Sequence, residues 1–325
     1  MKGFALLREP GGPARCLALI EQVNGAFLFA RFSGAVERYD ILEQHQGDFA
    51  LKYASKVLQT AVWPTIDIHS SHDQISYEAL VDSARRACDE GAIEKVVLSR
   101  RQAYSGVHIE PMDTFNRLCK SYPGATVYMI YRTGKSLWMG ATPECLVETQ
   151  GNNVKTMSLA GTRLAGQSGS WGTKEREEQN VVTRDITHML QVLGCKHLTI
   201  EGPSVMNAGP VEHLCSIIQG EKNGSSSEEI ARALHPTPAV GGLPRAQAST
   251  FIRQREGYDR RFYAGYFGFT EEERSVYYVN LRCLEWSANG LLCYAGGGIT
   301  SKSDSTQEWQ ETEQKLKTLE RVIFG

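Results

Sequence analysis

The chain has 325 residues, of which 41% are hydrophobic and 22% charged, and its formal net charge is −2. That length suits one large domain or two ordinary ones, and that balance belongs to a folded globular chain. The near-neutral charge removes a strong electrostatic case for nucleic acid and leaves open a local basic pocket for a small anion. No apolar run approaches the roughly 20 residues of a membrane span, so no membrane partner is expected.

The N-terminal stretch MKGFALLREPGG has too short an apolar run for a signal peptide, which points to the cytoplasm. Residues 15–33 read as a hairpin, because CLALIEQ and AFLFARF flank Asn24-Gly25, a pair that favours a primed turn. A helix is predicted over about 74–90, with Tyr77, Leu80, Val81, Ala84 and Cys88 on one face and Gly91 at its stop. A strand then starts at Lys95, a short helix covers about 111–121, and ATVYMIYRT (125–133) is a strand. The stretch GQSGSWG (166–172) reads as a loop before a long helix at about 173–193. GEKNGSSSEE (220–229) reads as a loop leading to a helix that ends near Leu234. HPTPAVGGLP (235–244) is too rich in proline and glycine for regular structure. FYAGYFGF, SVYYVNLRCLEW and LLCYAGGGIT (within 262–300) read as strands, and a last helix spans about 306–323. The interleaved pattern predicts an α/β or α+β chain with large, mainly antiparallel sheets. Residues 1–70 read as a β-rich N-terminal part of the same domain and 71–325 as the catalytic core.

Eight cysteines lie at positions 16, 88, 119, 145, 195, 215, 283 and 293, none in a CxxC pair, so a zinc site is not expected. Carboxylates offer a different metal chemistry. Glu308, Glu311 and Lys315 share one side of the last helix, and Glu175 and Glu178 share a side of the long one. A surface salt bridge is the plainer reading of each helix alone. Taken together, two such carboxylates could hold magnesium, which prefers oxygen ligands and keeps several waters. Lys95 opens an apolar strand, where it either snorkels to water or sits dry enough to act as a base. Glu144 follows Thr142-Pro143 and could act as an acid if its carboxyl leaves water. Arg282 could grip a carboxylate by its two-pronged head, and the glycines of YAGGGIT could expose backbone N–H groups to an anion.

Nine stretches, kept in order, resemble the chorismate-utilising enzymes. They are KVVLSR (95–100), GATPECLV (140–147), LAGTR (159–163), KEREEQNVV (174–182), LHPTPAVGGLP (234–244), FYAGYFGF (262–269), LRCLEW (281–286), YAGGGIT (294–300) and EWQETEQKL (308–316). The resemblance implies that family's fold, a two-lobed sandwich of large antiparallel sheets with helices outside and a central cleft. It implies isochorismate synthesis, in which water attacks C2 of chorismate and the C4 hydroxyl leaves. By resemblance Lys95 is the general base, Glu144 the general acid, and Glu178 and Glu311 hold Mg²⁺. Gly161, Thr162, Tyr263, Arg282, Gly297, Gly298 and Lys315 would bind substrate. Gln179 stands where many relatives carry histidine.

The product would feed menaquinone or siderophore synthesis. A salicylate synthase that also eliminates pyruvate is the nearest alternative. An ammonia-using anthranilate or aminodeoxychorismate synthase is another, but such enzymes lack the base lysine and carry PIKGT where this chain has LAGT. No glutaminase subunit is therefore expected, and a monomer is. A chorismate-binding protein without turnover is the last alternative.

Overall fold

The computed structural model describes residues 3–166 and 169–325, so Gln167 and Ser168 of the GQSGSWG stretch lie outside the described residues. The elements run β1 (Gly3–Arg8), β2 (Ala14–Glu21), β3 (Phe27–Ala30), β4 (Val36–Gln46), α1 (Gly47–Leu58), α2 (Gln74–Asp89) and β5 (Lys95–Ser105). They continue through α3 (Pro111–Ser121), β6 (Thr126–Tyr131), β7 (Leu137–Thr142), β8 (Cys145–Gln150), β9 (Asn153–Leu164), α4 (Thr173–Val192), β10 (Lys196–Ala208) and β11 (Val211–Glu221). The last are α5 (Ser227–Leu234), β12 (Gly242–Leu243), α6 (Arg245–Arg255), β13 (Tyr266–Thr270), β14 (Arg274–Val279), β15 (Cys283–Ser287), β16 (Gly290–Ile299) and α7 (Ser305–Ile323).

The sixteen strands of the described residues join one sheet in the order β10-β11-β9-β8-β14-β13-β3-β4-β2-β1-β6-β7-β15-β16-β5-β12, and the pairings are antiparallel. Its central strands are apolar at nearly every position because both faces are covered. In β1, Ala5 and Leu7 enter one core while Phe4 and Leu6 enter the other. In β7, Trp138 faces the first core, and Leu137 and Met139 face the second. The first core also takes Val182, Ile186 and Leu190 of α4. The second takes Phe115 and Leu118 of α3 and Leu316 and Leu319 of α7. The apolar stripes of α4 and α7 are thus buried in different cores.

Helix ends follow local chemistry. Asp73 caps α2 by accepting from Ser76 N–H, Ser226 and Glu229 form a capping box on α5, and Asp304 caps α7. Gly91 takes φ +75° just beyond α2, as its C-terminal position requires.

Three local readings change. The strands β2 and β3 do not form a hairpin, since β4 lies between them and pairs with both. Neither Asn24 nor Gly25 has the positive φ of a primed turn. Gly25 instead crosses the main chain of Tyr39, where a Cβ would come within 2.1 Å. Within HPTPAVGGLP, Gly242 and Leu243 form the short strand β12 against Val96 and Lys95. The stretch SVYYVNLRCLEW is two strands, β14 and β15, broken at Arg282, which holds φ +47°.

Beyond β12, the edge of β5 is closed by a buried ion pair. Glu256 accepts from Ser99 N–H at 2.6 Å, and Arg260 donates to Val97 O at 2.6 Å and Val240 O at 3.0 Å. The two side chains also pair with each other at 2.6 Å, and both are buried. Backbone groups that a neighbouring strand would satisfy are satisfied here by side chains.

Candidate active site

The strand β5 starts at Lys95, and its neighbour β16 runs antiparallel with Gly298 opposite Val97. Lys95 is fully buried. Its Nζ lies 2.9 Å from Glu178 Oε1 of α4, an ion-pair contact whose angle falls outside hydrogen-bond geometry. The ammonium thus keeps donor capacity toward the cavity beside it. That cavity is lined by Glu144, Thr162, Glu178, His213, Tyr263, Arg282, Gly298 and Lys315 among others.

The glycines of YAGGGIT lie inside the paired strand β16 rather than in a turn, and what they supply is missing bulk. A Cβ on Gly298 would fall 2.2 Å from Glu178 Oε1 and 2.9 Å from Lys95 Cε. One on Gly297 would fall 3.0 Å from Glu308 Oε2 and 3.6 Å from Glu311 Oε1. One on Gly296 would fall 3.0 Å from the Tyr263 hydroxyl. Consecutive glycines therefore let α4 and α7 bring carboxylates against the end of β16.

Each of those carboxylates carries a lysine. Glu178 pairs with Lys95, Glu308 with Lys174, and Glu311 with Lys315 at 2.6 Å. Among the described residues no three acidic, imidazole or thiol groups converge tightly enough to hold a metal by themselves. The donor set still fits a hard cation. Glu308 is 1% exposed and its Oε2 has no partner. Burial, then the nearby Glu311 charge, pushes the Glu308 carboxyl up to about 7, while Lys174 and a hydrogen bond from Ser303 oppose the rise. For Glu311, burial works upward, but Lys315 and Lys174 outweigh it and hold the group low. Glu308 belongs with Glu178 and Glu311, although the sequence reading placed only the latter two at a metal.

Glu144 sits after β7 and is 2% exposed. Burial pushes its carboxyl up to about 8, tempered by the Lys95 ammonium. A carboxyl of this kind is protonated at neutral pH and can deliver a proton.

Across the cavity, the break at Arg282 turns its guanidinium inward. It donates to Thr318 Oγ1 at 3.1 Å and contacts His213 Nε2 at 2.9 Å. The His213 Nδ1 faces Gly161 O at 3.1 Å, so the ring donates there and accepts from Arg282. Burial, then the Arg282 charge, pulls the imidazole down to about 3, so it is neutral. Its position in Val211-Glu212-His213-Leu214 shows no signal beyond an inward place on an alternating strand. Gly161 does not line the cavity. It takes φ +66° where a Cβ would fall 2.8 Å from Glu175 O, and so seats β9 on the first turn of α4. Thr162, Tyr263 and Lys315 do line it, and Lys315 also donates to Gly296 O at 2.7 Å.

Gln179 points away from the carboxylates. Its Nε2 donates to Ser158 O at 3.1 Å, Ser158 Oγ at 2.9 Å and Ser216 Oγ at 3.2 Å, which ties α4 to β9 and β11.

A family described as "Chorismate binding enzyme" matches residues 35–324. The chain belongs to the chorismate-binding enzymes. Isochorismate synthase MenF of Escherichia coli K12 is 29% identical over 299 residues, 86% of this chain and 68% of that protein. The salicylate biosynthesis isochorismate synthase of Pseudomonas aeruginosa is 31% identical over 267 residues, 78% of this chain and 56% of that protein. This family member thus spans a little over half to about two thirds of those relatives' lengths. The solved structure of the menaquinone-specific MenF of E. coli superposes with a TM-score of 0.82 at 22% identity, covering 99% of this chain and 88% of that one. It shares the fold. No helix among the described residues is long and apolar enough to cross a membrane.

Proposed function

We propose that this chorismate-binding enzyme is an isochorismate synthase, acting on chorismate in the cavity between Lys95, Glu144 and Arg282. The observation that carries this reading is a buried amine and a buried, neutral carboxyl set beside one cavity, close enough for the amine's charge to act on the carboxyl. Glu144 lines the cavity and feels the Lys95 ammonium, which in turn contacts Glu178 on the cavity wall. Chorismate is a dianion whose ring must be held by both ends. Arg282 and Lys315 offer cationic heads for one carboxylate.

For this step Lys95 must act as the unprotonated amine, its ion pair with Glu178 given up; it then takes a proton from the water that attacks C2. Glu144 gives one to the hydroxyl leaving C4. Proton transfer of this kind contributes roughly 10²–10⁴-fold per group. Thr162 and Tyr263 orient the ring, and His213 keeps Arg282 aimed. Glu178, Glu308 and Glu311 would hold Mg²⁺, which neutralises the second carboxylate and helps to position it. Lys95 favours water over ammonia as the nucleophile, since ammonia needs no base. The isochorismate would supply menaquinone or a catechol siderophore.

The test is proton NMR of purified protein with chorismate and Mg²⁺. Isochorismate should accumulate without ammonia and without released pyruvate. Stoichiometric pyruvate, a requirement for ammonia, or unchanged chorismate would each overturn the reading.

A further inference from the structure

The three lysines beside the carboxylates are not equivalent. Lys95 is fully buried, and its Cε packs where a Gly298 Cβ would lie. Lys315 is held twice, by Glu311 Oε1 at 2.6 Å and by Gly296 O at 2.7 Å. Lys174 is the second residue of α4, makes one hydrogen bond among the described residues, to Glu308, and has a side chain 23% exposed. It also borders a separate cleft of about 200 Å³ lined by Glu175, Gln307, Glu311 and Gln314 among others. One ammonium therefore has somewhere to go.

We propose that Lys174 is an internal counter-ion. It occupies the cation position of the Glu178–Glu308–Glu311 cage before a metal arrives, and swings into the adjoining cleft when a divalent cation enters. This rests on reading those three residues as the metal cage. The physical need is plain. A carboxylate buried as deeply as Glu308 is not left uncompensated, and among the described residues the one cation hydrogen-bonded to it is Lys174. A dication and an ammonium on the same carboxylate repel each other, so binding one weakens the other. The same side chain thus keeps the cage assembled without metal and lowers the affinity of the free enzyme for metal.

The experiment is calorimetric titration of Mn²⁺ into the full chain without chorismate, comparing wild type, Lys174→Met and Glu311→Gln. Lys174→Met should bind on the order of tenfold more tightly than wild type. Glu311→Gln should bind more weakly than either. Equal or weaker binding by Lys174→Met, with normal wild-type binding, overturns the counter-ion. Binding that Glu311→Gln leaves unchanged, or no binding by any of the three, overturns the cage itself. A second measurement needs no variant. Acetic anhydride labelling of wild-type Lys174, read by peptide mass, should be several-fold faster with saturating Mn²⁺ than without. Equal or slower labelling with metal overturns the proposal.

Discussion

Lys95 Nζ and Glu178 Oε1 lie 2.9 Å apart beneath Gly298, a position where strand β16 leaves no room for a side chain. Gly298 does not use the left-handed backbone region, so alanine is conformationally acceptable there. Gly298→Ala should therefore fold, yet drive Glu178 and Lys95 apart. A displacement of about 1 Å at such a site costs on the order of 10²-fold in rate. Steady-state kinetics beside a melting curve would check this, and a folded variant with normal kcat would contradict the geometry.

Removing the amine and removing the acid should differ in stability. Both Lys95→Ala and Glu144→Gln should lose roughly 10²–10⁴-fold in kcat. Lys95→Ala also leaves Glu178 buried without its cation, a loss of about 3–5 kcal/mol when a buried pair is broken. Glu144→Gln should melt close to wild type, because the native carboxyl is already neutral at pH 7. Paired thermal and chorismate-binding measurements would separate the two effects.

The pH profile follows from the same carboxyl. Glu144 must be protonated to act, and its pKa is raised to about 8. On its alkaline side kcat/KM should fall about tenfold per pH unit above that value, as Glu144 loses its proton. Stability has the same sign. The raised value contributes fully below the ordinary carboxyl range, and the contribution is lost as pH rises toward 8. A profile flat through about pH 9.5 would contradict the acid assignment.

His213 should matter for binding more than for turnover. Its neutral ring joins Gly161 O to the Arg282 guanidinium. His213→Phe should raise KM for chorismate by roughly tenfold, as a lost hydrogen bond to a charged group implies, with a smaller change in kcat. Since the ring stays neutral down to about pH 3, this histidine should add no limb to the rate profile near neutral pH.

Gln179 and Glu311 should behave as opposites. Gln179→Leu breaks the ties to Ser158 and Ser216 and should cost about 1–3 kcal/mol in denaturant unfolding, with the metal requirement unchanged. Glu311→Gln should raise the Mg²⁺ concentration needed for half activity. A shift in Mg²⁺ requirement for Gln179→Leu would place that residue at the metal after all.

The helices were legible because their information is local. Tyr77, Leu80, Val81 and Ala84 recur at helical spacing, and α2, α3 and α7 lie where that spacing puts them. The β2–β3 hairpin misled because the competing partner, β4, is itself a local neighbour with a longer edge to offer. Arg282 looked like one more residue in an alternating strand, since nothing in RCLEW announces a left-handed break. The family motifs led to Lys95, Glu144, Glu178 and Glu311 by position. The three glycines mattered for what they make room for. Glu308 stood out in the sequence only as one more carboxylate on the last helix, and Lys174 and His213 became visible only once α4, α7 and β11 met at one place. That meeting is long-range, and no window of sequence contains it.

The ion pair that closes the edge of β5 has a consequence for how this molecule meets copies of itself. Exposed strand edges invite a foreign strand to add on, and a sheet this wide has few of them. With Glu256 and Arg260 occupying the open groups of Ser99 and Val97, the end of the sheet that carries Lys95 is shut against such recruitment. The opposite end, β10, is largely exposed, and its pairing is irregular only between Lys196 and Thr199 and around Gly202-Pro203. Aggregation by sheet extension, when the protein is stressed, should begin there and spare the catalytic end.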